Sequence, residues 1–218
     1  MKTKYGIIGS LLLSFILLGF TPSLEAQNAW INEIHYDNVS TDVNEIVEVV
    51  IENPGDYTLS LFQVILYNGN GGVTYTPTYN LSEFTVGNTI GNFTIYYKNY
   101  SSSTGIQNGA PDGLVLVYDN AVISGQFLSY EGSFTATNGI ASGMTSVNIG
   151  VDEEPVPAAG LSLQLSGSGS QYSDFSWQEP ATATAGALNN GQTLSTGGVD
   201  NPDNFNAMTI SQTQIDLS

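Results

Sequence analysis

Short runs of β-branched and aromatic residues recur along the chain, and they constrain its fold more than any other sequence feature. Residues 93–98 alternate Phe, Ile and Tyr with Thr, Tyr and Lys, which is the period of a half-buried strand. Clusters of Gly, Asn, Pro and Asp separate the runs and indicate turns, because Gly and Asn tolerate positive φ. No window keeps the 3.6-residue period of a helix, so we predict an all-β fold, an immunoglobulin-like antiparallel β-sandwich. The predicted strands span residues 30–36, 45–51, 61–67, 93–98, 113–118, 121–123, 161–165 and 172–177.

The charge balance limits the partners that the chain can bind. Asp and Glu number 20, against 3 Lys and Arg, and the formal net charge is −17. Binding a nucleic-acid backbone requires several Lys or Arg to replace condensed counterions, so we expect no nucleic-acid partner. The chain also has no Cys, which excludes disulfides, thiolate zinc sites and a Cys nucleophile.

Residues 1–26 have the features of a secretory signal peptide. Lys2 and Lys4 form a positive start, residues 6–20 are apolar, and Ala26 offers a small residue at a cleavage site before Gln27. The apolar segment is shorter than the roughly 20 residues needed to span a bilayer. We therefore predict a secreted, extracellular or cell-surface protein that has no membrane segment after cleavage.

The C-terminal region differs in composition from the strand-rich part. Small and polar residues predominate after about residue 180, and Gly197-Gly198 followed by Asp200 to Asp203 is typical of a linker. We predict a sandwich over 28–193, a linker over 194–204, and an isolated strand over 205–218. Residues 207–218 resemble the start of a fibronectin type III domain, which implies that a further domain is missing.

Several motifs, in order along the chain, carry a family resemblance. They include INEIHYDN at 31–38, NEIVE at 44–48, LYNGNGG at 66–72, QNGAPDGL at 107–114, QFLSYEG at 126–132, SLQL at 162–165 and FSW at 175–177. Together they resemble bacterial lamin-tail domains over about residues 28–193. The resemblance implies an immunoglobulin-like sandwich, in agreement with the strand pattern.

The resemblance implies that the chain is a non-catalytic module. Lamin-tail domains occur in secreted bacterial proteins beside nucleases, phosphatases, proteases or adhesion repeats. We therefore expect a structural, adhesive or targeting role in a larger extracellular protein, with a protein or a glycan at the cell exterior as partner. The alternatives are an accessory part of a secreted nuclease or phosphatase and a carbohydrate-binding module.

His35 is the only His, so any Ser-His-Asp triad would have to use it. It lies two residues from Glu33 and from Asp37, and alternation places all three on one face of a strand. That spacing allows a general base held by an acid. No Gly-x-Ser-x-Gly nucleophile motif exists, so we expect a strand His in a hydrogen-bond network and no catalytic residues.

Acidic residues between the first two predicted strands suggest a calcium site. Asp37 and Asp42 bracket a predicted loop, which Glu45 follows, and such loops supply oxygen ligands to calcium, although the spacing does not match an EF-hand. The alternative is a solvated acidic loop. Residues 152–154 are predicted to be a solvated acidic run, and Glu45 and Glu48 point to opposite faces, which argues against a glycosidase pair.

Aromatic residues offer a possible sugar-binding surface. Alternation groups Tyr97 with Phe93 and Ile95 on the inside of the sheet. Only Tyr96 and Tyr100 would then be presented to a ligand, where their rings could stack on a sugar. Core and edge packing is the alternative interpretation.

Overall fold

Apolar runs that the sequence marks as strands pair into two sheets, and the sheets pack face to face. The structure is a computed structural model that describes residues 27–39, 41–100 and 105–195. The predicted signal peptide 1–26, the linker beyond residue 195 and the predicted strand 205–218 lie outside the described residues. Within the described part, no helix has the length and apolar character needed to cross a bilayer.

Sheet A forms one layer of the sandwich. In spatial order it contains β11 (Phe175–Thr182), β10 (Leu161–Gly169), β1 (Ala29–His35), β2 (Ile46–Glu52), β6 (Phe93–Asn99) and β5 (Thr85–Ile90), and β12 (Gln192–Leu194) also pairs with β10. A β-bulge between Ile31 and Glu33 shifts the register of β1 against β2. Because of this bulge, Ile31 and Ile34 both reach the interior core, although they are three residues apart.

Sheet B forms the second layer. In spatial order it contains β4 (Val73–Asn80), β3 (Phe62–Asn68), β7 (Asp112–Tyr118), β8 (Ala121–Tyr130) and β9 (Val147–Asn148). Four 3₁₀ turns lie in the described connections, at Pro54–Asp56, Leu59–Leu61, Leu81–Glu83 and Tyr172–Asp174. The predicted all-β sandwich is therefore confirmed, and two short parallel pairs, β10 with β12 and β8 with β9, add to the antiparallel ladders.

The interior core lies between the inner faces of the two sheets. Ile31 and Val49 of sheet A and Val64 and Leu116 of sheet B are buried in one cluster. At one end of this cluster the rings of Tyr36 and Tyr130 stack with centroids 3.8 Å apart. Burying apolar side chains contributes about 1.5–3 kcal/mol each, so this core is the main source of stability.

The outer face of sheet A is also buried. Residues 183–194 are here called strap A, and they cross this face from β5 to β10. At β5, Asn88 N donates to Gly186 O at 2.7 Å, and at β10 the end of the strap forms β12. Leu188 and Leu194 of strap A pack in a second cluster with Trp30. The strands of sheet A therefore have apolar residues on both faces.

Sheet B has a similar cover. Residues 133–146, here called strap B, place Phe134, Ala136 and Ala141 over Tyr67 and Phe127 in a third cluster. The Tyr67 hydroxyl donates to Asn138 O at 3.0 Å and accepts from Ala141 N at 3.1 Å. Both sheets thus lie between the common core and a strap.

The outermost strands carry residues that cannot continue a ladder. Pro77 lies in β4 and Pro180 in β11, and Pro has no N–H to donate to a neighbouring strand. On β5, the Asn88 N–H is already bound by Gly186 of strap A. Proline and a covering segment are common ways in which sandwiches protect their edges.

The described chain enters and leaves the sandwich at one end. Asn28 Nδ2 donates to Ser170 O at 2.6 Å, and Ser195 N donates to Gly169 O at 2.8 Å. The first and last strands, β1 and β12, both pair with β10.

Candidate functional site around His35

His35 ends β1 and is 1% exposed. Its Nδ1 lies 2.7 Å from Glu153 Oε1, and its Nε2 lies 3.2 Å from Val43 O. A carbonyl and a carboxylate oxygen both accept, so each ring nitrogen must donate. The geometry therefore assigns an imidazolium to His35, with Glu153 as its counter-ion.

Glu153 is the functional partner that sequence reasoning missed. The sequence predicts residues 152–154 as a solvated run, and this is wrong for Glu153, which is 0% exposed. Its Oε2 accepts from Tyr36 N at 2.9 Å and from Asp37 N at 2.7 Å, and its own N–H donates to the Tyr36 hydroxyl at 2.8 Å. Neighbouring Glu154 is exposed, so composition alone could not distinguish the two.

The environment of His35 keeps the ring charged. Burial lowers the pKa of His35, but the hydrogen bond and the charge of Glu153 outweigh it, so the pKa lies above its ordinary value. Contacts with Asn38 and Val43 raise it further. A ring held as imidazolium has no free lone pair and cannot act as a general base.

The predicted calcium ligands do not assemble into one site. Among the described residues, no group of three or more His, Asp and Glu side chains is placed to hold a metal ion. Burial raises the pKa of Asp37, and the neighbouring carboxyl of Asp42 raises it further. Glu45 turns elsewhere: its Oε2 accepts from Ile106 N at 3.1 Å, and burial raises its pKa to about 7.

The predicted aromatic surface is also corrected. Tyr96 and Tyr100 are each 4% exposed and belong to the interior core, so neither ring is available for a sugar. Phe93 and Ile95, predicted to face inward, lie in the outer cluster with residues of strap A. The alternation of residues shows which side chains share a face of a strand. It does not show which face meets the interior core when both faces are covered.

A pair of buried carboxylates lies beneath strap A. Glu33 and Glu48 are register partners on β1 and β2, and each is 0% exposed. Thr184 N donates to Glu33 Oε1 at 2.9 Å, and Gly186 N donates to Glu48 Oε2 at 2.7 Å. Backbone N–H groups of the strap thus bind both carboxyl groups.

Burial changes the protonation of this pair. Burial raises the pKa of Glu33, against the opposing effect of hydrogen bonds from Ser162 and Thr184. Burial also raises the pKa of Glu48 well above its ordinary value, and the neighbouring Glu33 carboxyl raises it further. The folded state therefore favours a protonated carboxyl in this pair.

The contacts of these groups connect segments of the fold to one another. The charge of His35 is compensated by Glu153, and the oxygens of Glu33 and Glu48 accept hydrogen bonds from the protein. Buried charges that are paired and hydrogen-bonded hold segments of chain in place. No family model, curated protein or solved structure matches this chain, so the resemblance to lamin-tail domains rests on the sequence motifs alone.

Proposed function

We propose that this chain is a secreted, non-catalytic lamin-tail-like module with a structural, adhesive or targeting role in a larger extracellular protein. The observation that carries the proposal is the state of His35. Both ring nitrogens donate to acceptors within the protein and the ring itself is buried, so it can neither accept a proton nor reach a substrate. The lamin-tail motifs and the predicted signal peptide add support from the sequence.

The buried carboxylates support the same proposal. Hydrolysis of a glycosidic bond requires two carboxyl groups that flank a bound substrate. Glu33 and Glu48 lie beside each other but are covered by strap A, with Thr184 and Gly186 bound to their oxygens. The pair supports the fold of the strap.

Turnover assays test the non-catalytic part of the proposal. The purified chain is incubated with nuclease, phosphatase and glycosidase substrates, beside His35→Gln and the matched surface variant Glu154→Gln. We expect no turnover by any of the three proteins. Turnover that is present in the unchanged chain and in Glu154→Gln but absent in His35→Gln would overturn the proposal.

A second experiment tests export. The full chain is expressed with a C-terminal tag in a bacterial host, the cells are fractionated, and the N-terminus of the exported form is read by mass spectrometry. We expect the protein in the medium or at the cell surface, beginning at Gln27. Retention of an intact Met1 form inside the cell would contradict the secreted part of the proposal.

A further inference from the structure

A cleft of about 580 Å³ opens at the end of the sandwich where the described chain enters. It lies between the start of β1, the first half of β8 and the 3₁₀ turn Tyr172–Asp174. Small-molecule sites usually have volumes of about 300–1,000 Å³, so its size suits a ligand of one or two sugar rings. The cleft is separate from the residues around His35 and from the Glu33–Glu48 pair.

The lining of the cleft has no charged side chain, although the chain as a whole has a net charge of −17. Its polar groups are amides and hydroxyls, and its apolar groups are Ala29, Val122 and Ile123. The lining side chains offer an ionic ligand no opposite charge in exchange for its lost hydration, and burying an unpaired charge is costly. The lining therefore favours a neutral ligand.

Several of the polar groups are available to a ligand. The side chains of Gln27, Ser124 and Ser173 make no hydrogen bond to another residue in the described part of the chain. Gln126 is 1% exposed; its Oε1 accepts from Ile31 N at 2.8 Å, whereas its Nε2 donates only to Gly125 O at 3.3 Å. An amide nitrogen carries two N–H donors, so one of them is left for a ligand.

One ring completes the lining. Tyr172 is half-buried, and its hydroxyl accepts from Trp177 Nε1 at 3.0 Å, which fixes the position of the ring. A purely apolar ligand would leave the amides and hydroxyls unpaired, which is unfavourable. A sugar ring offers both hydroxyls for the amides and an apolar face for the aliphatic and aromatic groups.

From this combination we propose that the cleft binds a neutral saccharide. Gln27, Ser124 and Gln126 donate to or accept from its hydroxyls, and Tyr172 packs against its ring. This goes beyond the proposed function, because it narrows the expected partner to a neutral saccharide and gives it a position in the fold. It also differs from the Tyr96 and Tyr100 surface expected from the sequence, which is buried.

Titration with single sugars tests the proposal. The chain is produced with a few neutral residues before Gln27, which keeps the α-amino charge away from the cleft, and is titrated with glucose, galactose, N-acetylglucosamine, cellobiose and glucuronic acid. Tryptophan fluorescence is followed, because the indole of Trp177 bonds to Tyr172. The test variant is Gln27→Ala with Ser124→Ala, and the control is Ser60→Ala with Gln178→Ala. Gln27 is partly exposed and the other three residues are exposed. Melting temperatures confirm that both variants fold.

We expect saturable binding of at least one neutral sugar, unchanged in the control. Affinity should be about tenfold weaker in the test variant, since two hydrogen bonds of ordinary strength are removed. Ser124→Trp fills the cleft and should abolish binding, which provides a second variant if the first is unstable. Three outcomes would overturn the proposal: no saturable binding of any sugar, tighter binding of glucuronic acid than of glucose, or equal affinity in the test and control variants.

Discussion

His35 Nδ1 and Glu153 Oε1 lie 2.7 Å apart, although 118 residues separate them in the chain. The pair ties the end of β1 to the connection between β9 and β10. Glu153 also accepts from two backbone N–H groups at the end of β1, so the contact fixes backbone as well as side chain. The buried ion pair thus helps to position a connection that has no regular secondary structure of its own.

Replacing Glu153 by Gln should destabilise the protein most at low pH. The pKa of His35 is raised in the folded state, so its contribution to stability is fully present below the ordinary His value of about 6.5 and is lost as pH rises through the folded pKa. Breaking a buried pair costs about 3 kcal/mol. Urea unfolding of Glu153→Gln should show this loss at about pH 6, and a smaller loss at about pH 9.

Glu154→Gln is the matched control, because Glu154 is the exposed neighbour. Its free energy of unfolding should stay within about 0.5 kcal/mol of the unchanged chain. The assignment of an imidazolium would be wrong if Glu153→Gln and Glu154→Gln showed the same pH dependence. An NMR titration of the single His ring checks the pKa directly.

Glu48→Gln should also lose less stability as the pH rises, but for a different reason. Because the folded state raises the pKa of Glu48, it binds more protons than the unfolded chain, and the free energy of unfolding falls as pH rises above 4.5. Gln cannot ionise and avoids this loss. The variant should therefore lose more stability at about pH 5 than at about pH 9.

Urea unfolding at both pH values measures the effect, with Glu179→Gln as the control because Glu179 is an exposed carboxylate in β11. We expect the difference in free energy of unfolding between Glu179→Gln and the unchanged chain to be the same at both pH values. If the difference for Glu48→Gln is also the same at both pH values, the buried carboxyl is not the source of the pH dependence.

Gly186 should be intolerant of Ala. Its φ is +79°, and an added Cβ would lie 2.7 Å from Cε1 of Tyr97. Gly143 has a similar φ of +83° but open space around the Cβ position, so it isolates the backbone effect. We expect Gly143→Ala to cost about 1 kcal/mol, and Gly186→Ala to cost about 2 kcal/mol more through overpacking. Equal melting temperatures for the two variants would contradict the close crossing of strap A over β6.

Calcium should leave the melting temperature unchanged beyond any general effect of divalent ions. The carboxyl groups of Asp37, Asp42 and Glu45 do not gather into one group of ligands. A ligand that binds the folded state tightly must stabilise it by mass action. Melting curves in calcium, in the same concentration of magnesium and in chelator test this. A rise specific to calcium that is lost in Asp42→Asn would restore the predicted site.

The strands that were predictable from the sequence are those with runs rich in apolar and β-branched residues. The predicted runs 45–51, 61–67 and 113–118 agree within one residue at each end with β2, β3 and β7. The sequence pattern missed β4 and β5, which contain Pro77 and Gly87. Both residues disfavour a central strand, but β4 and β5 are edge strands, where a missing donor or side chain is tolerated.

Much of the site could not be predicted, because its contacts depend on register and on the straps. The Glu33–Glu48 pairing follows from a β-bulge in β1, which no local pattern indicates. The burial of Tyr96 and of Glu153 depends on segments distant in the chain. The motif that includes His35 was recognisable, whereas its counter-ion 118 residues away was not.

The common end at which the described chain enters and leaves also determines how such a module would sit in a longer polypeptide. Asn28 and Ser195 both bind the turn at residues 169–170. A unit attached in this way adds almost no length between its flanking segments and projects sideways from them. Tension on the flanks would act on the short pairing of β12 with β10 and would open it one hydrogen bond at a time.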